Sequence, residues 1–293
     1  MSLTRGYDRL KCLNLGCGSR FHSGWTNIDI APSSSAVLKW DLRQGIPFTD
    51  DTFDVVYHSH LLEHLRRDEA LSFLQGCYRV LKRGGVIRVV VPDLEEMARA
   101  YLHALERSLA GDREWQLNYE WIMLELYDQA VRERSGGVML DYLGQDPLPN
   151  EEFIYQRGGV DVKNMIAVLR SCTVKSAPQA ATCATPLRQL HILGQRLHWP
   201  HLRSRLLRRL LSEDDHKALA IGRFRLQGEV HHWMYDRYSL ATLLVEAGFE
   251  NPTRKSATES SIEGWVQFNL DTEPDGTVYK PDSLYMEAWK PPA

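Results

Sequence analysis

A chain of 293 residues with 43% hydrophobic and 25% charged residues can bury one large core or two smaller ones, which excludes a disordered or fibrous chain. Its formal net charge of −3 argues against a nucleic-acid partner, which would need a basic face. Five scattered cysteines (Cys12, Cys17, Cys77, Cys172, Cys183) without a Cys-x-x-Cys pair read as reduced thiols, and no run of ~18 apolar residues predicts a membrane span.

Residues 1–9 are mostly polar, with one aromatic, Tyr7, and lack an apolar leader core, so they read as a tail of a soluble, cytoplasmic protein. The stretch LKCLNLGCGSRFHSGWTNIDI, residues 10–30, follows. Its apolar run Cys12-Leu13-Asn14-Leu15 ends in Gly16-Cys17-Gly18, and a second run, Ile28-Asp29-Ile30, carries one carboxylate. The pattern predicts strand, tight glycine turn, short connection and strand. Glycines without a Cβ let the backbone bend and let a ligand lie against its N–H groups. Asp29 at the second strand tip can accept from two ribose hydroxyls. A dinucleotide site adds a third glycine and an acid ~20 residues on. Here Phe21 takes the glycine's place and Asp29 follows Gly18 by only eleven residues, which disfavours a nicotinamide dehydrogenase.

On these residues the stretch resembles motif I of the class I S-adenosylmethionine (SAM) methyltransferases of the type 11-like kind. The resemblance implies that the glycine turn packs on the methionine part of SAM and that Asp29 binds its ribose. It also implies a crossover helix after the first strand, which here would be squeezed into residues 19–24.

Val37-Leu38-Lys39-Trp40 reads as a third strand followed by Asp41-Leu42, which in the family would touch the adenine. A polar turn then leads to a fourth strand at Val55-Val56-Tyr57, and the phrase IPFTDDTFDVVYHSHLLEHL also resembles the family. Ligands of open parallel sheets bind at the carboxyl ends of the strands. This puts His58, Ser59, His60, Glu63 and His64 near the reacting end of SAM. Three histidines in seven residues raise the question of a metal. His60 and His64 lack a third convergent ligand in the sequence, so no metal is expected.

The spacing of Ala70, Leu71, Leu74, Cys77, Tyr78 and Leu81 predicts a helix over 68–81, capped by Asp68 and stopped by Gly84-Gly85. Val86 to Val91 is β-branched and nearly continuous, as in a strand covered on both faces. Asp93 and Glu96 open an amphipathic helix. An aromatic-rich helix is expected over about 114–134, its Trp and Tyr stripe reading as core. Two short helices follow, near 150–156 and 160–169. Residues 171–186 read as a low-complexity loop, and 187–211 as a basic helical stretch with six arginines and no acid, read as a solvated face.

Regular pattern returns at Gly228, with a helix from Asp236 to a Gly248 stop and strands near 253–258 and 283–290. The phrase WMYDRYSLATLLVEAGF resembles bacterial small-molecule and saccharide-cluster methyltransferases, which places His231 near the active site. The resemblance implies an α/β, Rossmann-like sheet, mostly parallel, with seven strands, an antiparallel edge and a helical lid insertion. Residues 1–94 would form the SAM-binding core, 95–227 the lid over the acceptor, and 228–293 the last helix and edge strands.

The expected activity is SAM-dependent transfer of methyl to oxygen, giving S-adenosylhomocysteine, with a small molecule, peptide or saccharide as acceptor in bacterial secondary metabolism. A homodimer is compatible with the chain. The competing readings are N-methylation and a non-catalytic SAM-binding scaffold. The base of choice is His231, with His60 and His64 in reserve. The cofactor-binding set is Asn14, Gly16, Cys17, Gly18, Asp29, Ile30, Asp41, Leu42, His58 and Ser59.

Overall fold

The computed structural model describes residues 10–174 and 211–292. The tail 1–9, nearly all of the loop 171–186 and of the basic stretch 187–211 lie outside the described residues.

Seven strands form one sheet: β1 (Cys12–Leu15), β2 (Thr26–Asp29), β3 (Val37–Lys39), β4 (Phe53–Ser59), β5 (Leu81–Pro92), β6 (Glu250–Lys255) and β7 (Ser283–Trp289). Their order is β3-β2-β1-β4-β5-β7-β6. The first five pair in parallel, and β7 runs antiparallel to both β5 and β6. The order reverses between β1 and β4, which is where an open sheet of this kind opens a crevice.

The two faces of the sheet are covered by different material. On one lie the helices α1 (Arg67–Val80) and α7 (Arg237–Glu246), whose Phe73, Leu74, Cys77, Leu240 and Leu244 pack on Val56, Ile87 and Met286. On the other, irregular chain between β6 and β7 brings Trp265, Phe268 and Leu270 onto Trp25, Tyr57 and Tyr285. The expected crossover helix at 19–24 is absent. Side-chain amides take over its hydrogen bonding: Asn27 donates to the carbonyls of His22 and Trp25, both at 2.9 Å, and Asn14 donates to that of Arg20 at 3.2 Å. A loop held in this way spans two parallel strands without a helical turn.

The irregular face is locked by Arg88 of β5, which is wholly buried. Its guanidinium lies 2.8 Å from carboxylate oxygens of Asp271 and Glu287, and it donates to the carbonyls of Ser256 and Glu259. Tyr57 donates to Asp271 at 2.6 Å. Buried charges persist only when paired and fully hydrogen-bonded, and this group meets both conditions.

Two local expectations change. The α1 cap is Arg66, whose N–H donates to Glu69 at 3.0 Å, and Asp68 falls inside the first turn. The chain passes from α1 straight into β5, so Gly84 and Gly85 do not stop the helix. They serve a register shift in β5, where a Cβ on Gly85 would stand 2.9 Å from the Asp54 carbonyl oxygen.

Between β5 and α7 lie α2 (Leu94–Leu109), α3 (Arg113–Val131), α4 (Gly137–Leu143), α5 (Glu151–Val174) and α6 (Glu213–Arg225). Trp121, Leu143, Leu148, Ile154, Val162 and Ile166 form their own core, so Trp121 is core as the stripe predicts, while Tyr127 is exposed. The two expected short helices are one element broken at Gly159, where φ is +63°. A Cβ there would stand 2.6 Å from the Tyr279 carbonyl oxygen, so glycine lets α5 dock against the chain leading into β7. Among the described residues no helix is long and apolar enough to cross a membrane.

Candidate active site

The tips of β1, β2 and β4 converge on the crevice. Gly16 and Gly18 hold φ of +65° and +55°, and a Cβ on Gly16 would stand 2.9 Å from Leu61. The N–H groups of Gly16 and Cys17 both donate to the Ile28 carbonyl, which folds the turn back onto β2. Asp29 accepts from the N–H of Gly18 and of Ala31, each at 2.8 Å, one bond on each carboxylate oxygen. A carboxylate offers about four acceptor sites, so Asp29 retains capacity for ligand hydroxyls.

Three open cavities meet in this region. The first, about 840 Å³ with its mouth, runs past Gly16, Asp29, Ile30, Trp40, Asp41, Leu42, His60 and His64. The second, about 570 Å³, is walled by Asn14, Gly16, Cys17, Gly18, Ser59 and His60, and also by Arg20, Tyr279 and Lys280. The third, about 650 Å³, lies against the helical insertion and is lined by His60, Met97, Trp121, Glu125, Asp161, Lys280 and Asp282. Only His60 is common to all three.

The structure thus gathers nine of the ten residues expected to bind cofactor along the first two cavities. His58 is the exception. Alternation along β4 turns its ring away from the crevice and edge-on to Phe73 at 5.2 Å, and burial pushes it down to about 4. Asp41 is chelated by Arg43, with contacts of 2.8 to 3.2 Å that hold its carboxyl below the usual range. Burial, with Asp29 alongside, pushes the Cys17 thiol up to about 11, so it stays protonated and unreactive.

His60 follows the β4 tip with φ of +50°, an uncommon conformation for a side chain of this size. Its Nδ1 is 3.2 Å from Glu63 Oε1, and its Nε2 is 3.0 Å from the Ser283 hydroxyl. Glu63 is wholly buried, on a single turn of 3-10 helix at Leu62–His64. Burial raises its carboxyl, but His60 first, then His64 and His231, outweigh this and hold it at about 2. His64 lies on the groove, and its Nδ1 is 3.3 Å from the Val230 carbonyl oxygen. His231 packs edge-on to His64, ring centres 4.7 Å apart, and lines none of the three cavities. Burial pushes His231 down to about 3 and lowers His64 as well. The leading candidate base therefore stands behind His64, and the reserve His60 stands at the junction.

Sequence reasoning left out Arg20, Tyr57, Lys280, Trp121 and Glu125. Arg20 sits two residues past Gly18 and could have been suspected. Lys280 and Glu125 come from segments whose place over the crevice only the fold decides. In the third cavity Glu125 accepts from Trp121 Nε1 and from Arg157, each at 2.6 Å. Burial raises its carboxyl to about 7 against the pull of Arg157.

Residues 13–89 match the family model described as a methyltransferase domain. No curated protein sequence matches the chain. Among solved structures the chain is similar to a SAM-dependent methyltransferase from Archaeoglobus fulgidus, with 12% identity over 96% of this chain and 86% of that one and a TM-score of 0.38. It is also similar to the complex of the Haloferax volcanii Trm112 methyltransferase activator with a putative methyltransferase, with 11% identity, 96% and 83% coverage and a TM-score of 0.37. A third likeness, to the [4+2]-cyclase SpnF, has 21% identity over 28% of this chain and 38% of that one, with a TM-score of 0.23. At such scores these likenesses assign no chemistry. The family model covers the glycine turn, Asp29 and the strand tips that build the crevice, so the part of the chain that forms the crevice is the part similar to a methyltransferase domain.

Proposed function

We propose that the protein transfers the methyl group of SAM to an oxygen of a small molecule, peptide or saccharide in bacterial natural-product biosynthesis. The observation that carries this reading is the position of His60, where three cavities meet. Adenosine would lie in the first, with its ribose on Asp29 and its base beside Asp41 and Leu42. The methionine part would lie in the second, against Gly16, Cys17, Gly18, Asn14 and Ser59. The acceptor would occupy the third, beneath residues 95–227 acting as a lid.

The chemistry is an in-line displacement at the sulfonium methyl. Aligning donor and acceptor can supply ~7–11 kcal/mol of the barrier. A hydroxyl must lose its proton as its bond to carbon forms, and imidazole is the side chain that titrates nearest neutrality. His60 Nε2 would take that proton while Glu63, at Nδ1, holds the ring and stabilises its charged form. His231 would act behind His64 as support. An acceptor carboxylate would need no base.

The test combines S-adenosylhomocysteine binding by calorimetry with methyl transfer to a panel of hydroxyl and carboxyl acceptors. His60→Ala should lower kcat ~10²-fold or more and leave the Kd for S-adenosylhomocysteine unchanged. An unchanged kcat would remove hydroxyl methylation assisted by His60, and turnover with amines alone would replace O- by N-methylation.

A further inference from the structure

Beside the crevice, one ligand-type atom from each of Glu63, His64 and His231 lies within 4.8 Å of the others. From this cluster we propose a binding site for a divalent first-row transition-metal ion, such as Zn²⁺ or Mn²⁺, held by Glu63, His64 and His231 with an open position toward the groove.

Three observations converge. Glu63 is wholly buried, yet neither carboxylate oxygen makes a hydrogen bond of good geometry; its near partner is His60, at 3.2 Å on one oxygen only. A buried polar group without its bonds is costly, and a buried carboxylate more so. A cation supplies what the protein withholds. Secondly, the carbonyl of Val230 can only accept, so its 3.3 Å contact assigns the proton to His64 Nδ1. That fixes the ring and leaves Nε2 with a free lone pair, the arrangement that metal-bound histidines use. Thirdly, the donor set of two imidazoles and one carboxylate suits these metals and leaves a coordination place for another oxygen.

The geometry is within reach. Ligand atoms at ~2.0–2.2 Å from a tetrahedral ion lie ~3.4 Å from one another, so from separations within 4.8 Å the cluster closes by at most about 1.4 Å on binding. Two of the ligands are adjacent on the 3-10 turn that follows β4. The third is brought in by the backbone, since the N–H of His232 donates to the Glu63 carbonyl at 2.7 Å and that of His231 to the Gln129 carbonyl at 3.0 Å. From the sequence alone, two histidines four apart had no third partner; the fold supplies it from a segment more than 160 residues away.

The ion would hold an acceptor oxygen beside His60 and make its proton easier to remove. That use rests on the methyl-transfer reading above, whereas binding of the ion does not. The site is tested on tag-free full-length protein, stripped with chelator and titrated with Zn²⁺ and Mn²⁺, with Mg²⁺ as a control. One equivalent of Zn²⁺ or Mn²⁺ should bind, with a rise in Tm. His231→Ala and Glu63→Gln should each weaken binding at least 100-fold, and cooperative urea unfolding of the metal-free variants reports that the fold survives. His64→Ala serves if either variant fails that check. Absence of stoichiometric binding to the unmodified chain, or equal binding by folded variants, overturns the site. Metal binding without S-adenosylhomocysteine binding would overturn the cofactor reading and leave the metal site standing.

Discussion

The groove beside Asp29 and the cavity under the insertion share His60 but are built from opposite materials. The groove is fixed by local backbone geometry: the positive-φ Gly16, the strand tips, and Asp29, whose bonds run to adjacent N–H groups. Its acid Asp41 is held below the usual range by Arg43. The cavity is made of side chains on helices far apart in sequence, and its acid Glu125 is raised by burial to about 7. On the proposed reading the groove would take the unchanging nucleoside, for which main-chain geometry suffices, and the cavity the acceptor, which side chains must shape.

The largest expected effect would break both halves at once. Arg88 anchors the irregular segment that leads to Tyr279 and Lys280, residues that wall the two inner cavities. Arg88→Met would strand Asp271 and Glu287 in the interior and should cost ~3–5 kcal/mol in urea unfolding. A loss below ~1 kcal/mol would show that the segment is held by its aromatic packing alone.

The next effect concerns the cavity only. The folded state raises the Glu125 carboxyl above its ordinary value of 4.5 to about 7, so folding favours its protonated form. The stability this contributes is fully present below pH 4.5 and is lost as pH rises through about 7. The span corresponds to ~3 kcal/mol. Urea unfolding at pH 5 and at pH 8 should show a fall of that order in the unmodified chain and a smaller one in Glu125→Gln. Equal slopes would mean that Arg157 keeps the carboxylate ionised throughout.

The smallest effect sharpens the groove. Asp29→Ala should weaken S-adenosylhomocysteine binding by ~1–3 kcal/mol, through lost ribose contacts and a loosened Gly18 turn. The acceptor KM should stay unchanged. A rise in that KM with no change in cofactor affinity would reverse the two assignments.

The sequence by itself determined the groove. Gly16, Gly18 and Asp29 announce their places through spacing, because a turn at positive φ and an acid at a strand tip are local features. The same holds for the Asp93 and Asp236 caps and for the apolar run of β5. Tertiary structure alone decided the rest. It removed the expected crossover helix, since amides of Asn14 and Asn27 could replace its hydrogen bonds, and it turned His58 inward, since register along β4 sets which face a side chain meets. It brought His231 to Glu63 and His64, and it set Glu125 and Lys280 over His60. Those meetings depend on long-range packing of segments that carry no local mark of one another, which is why spacing could not foretell them.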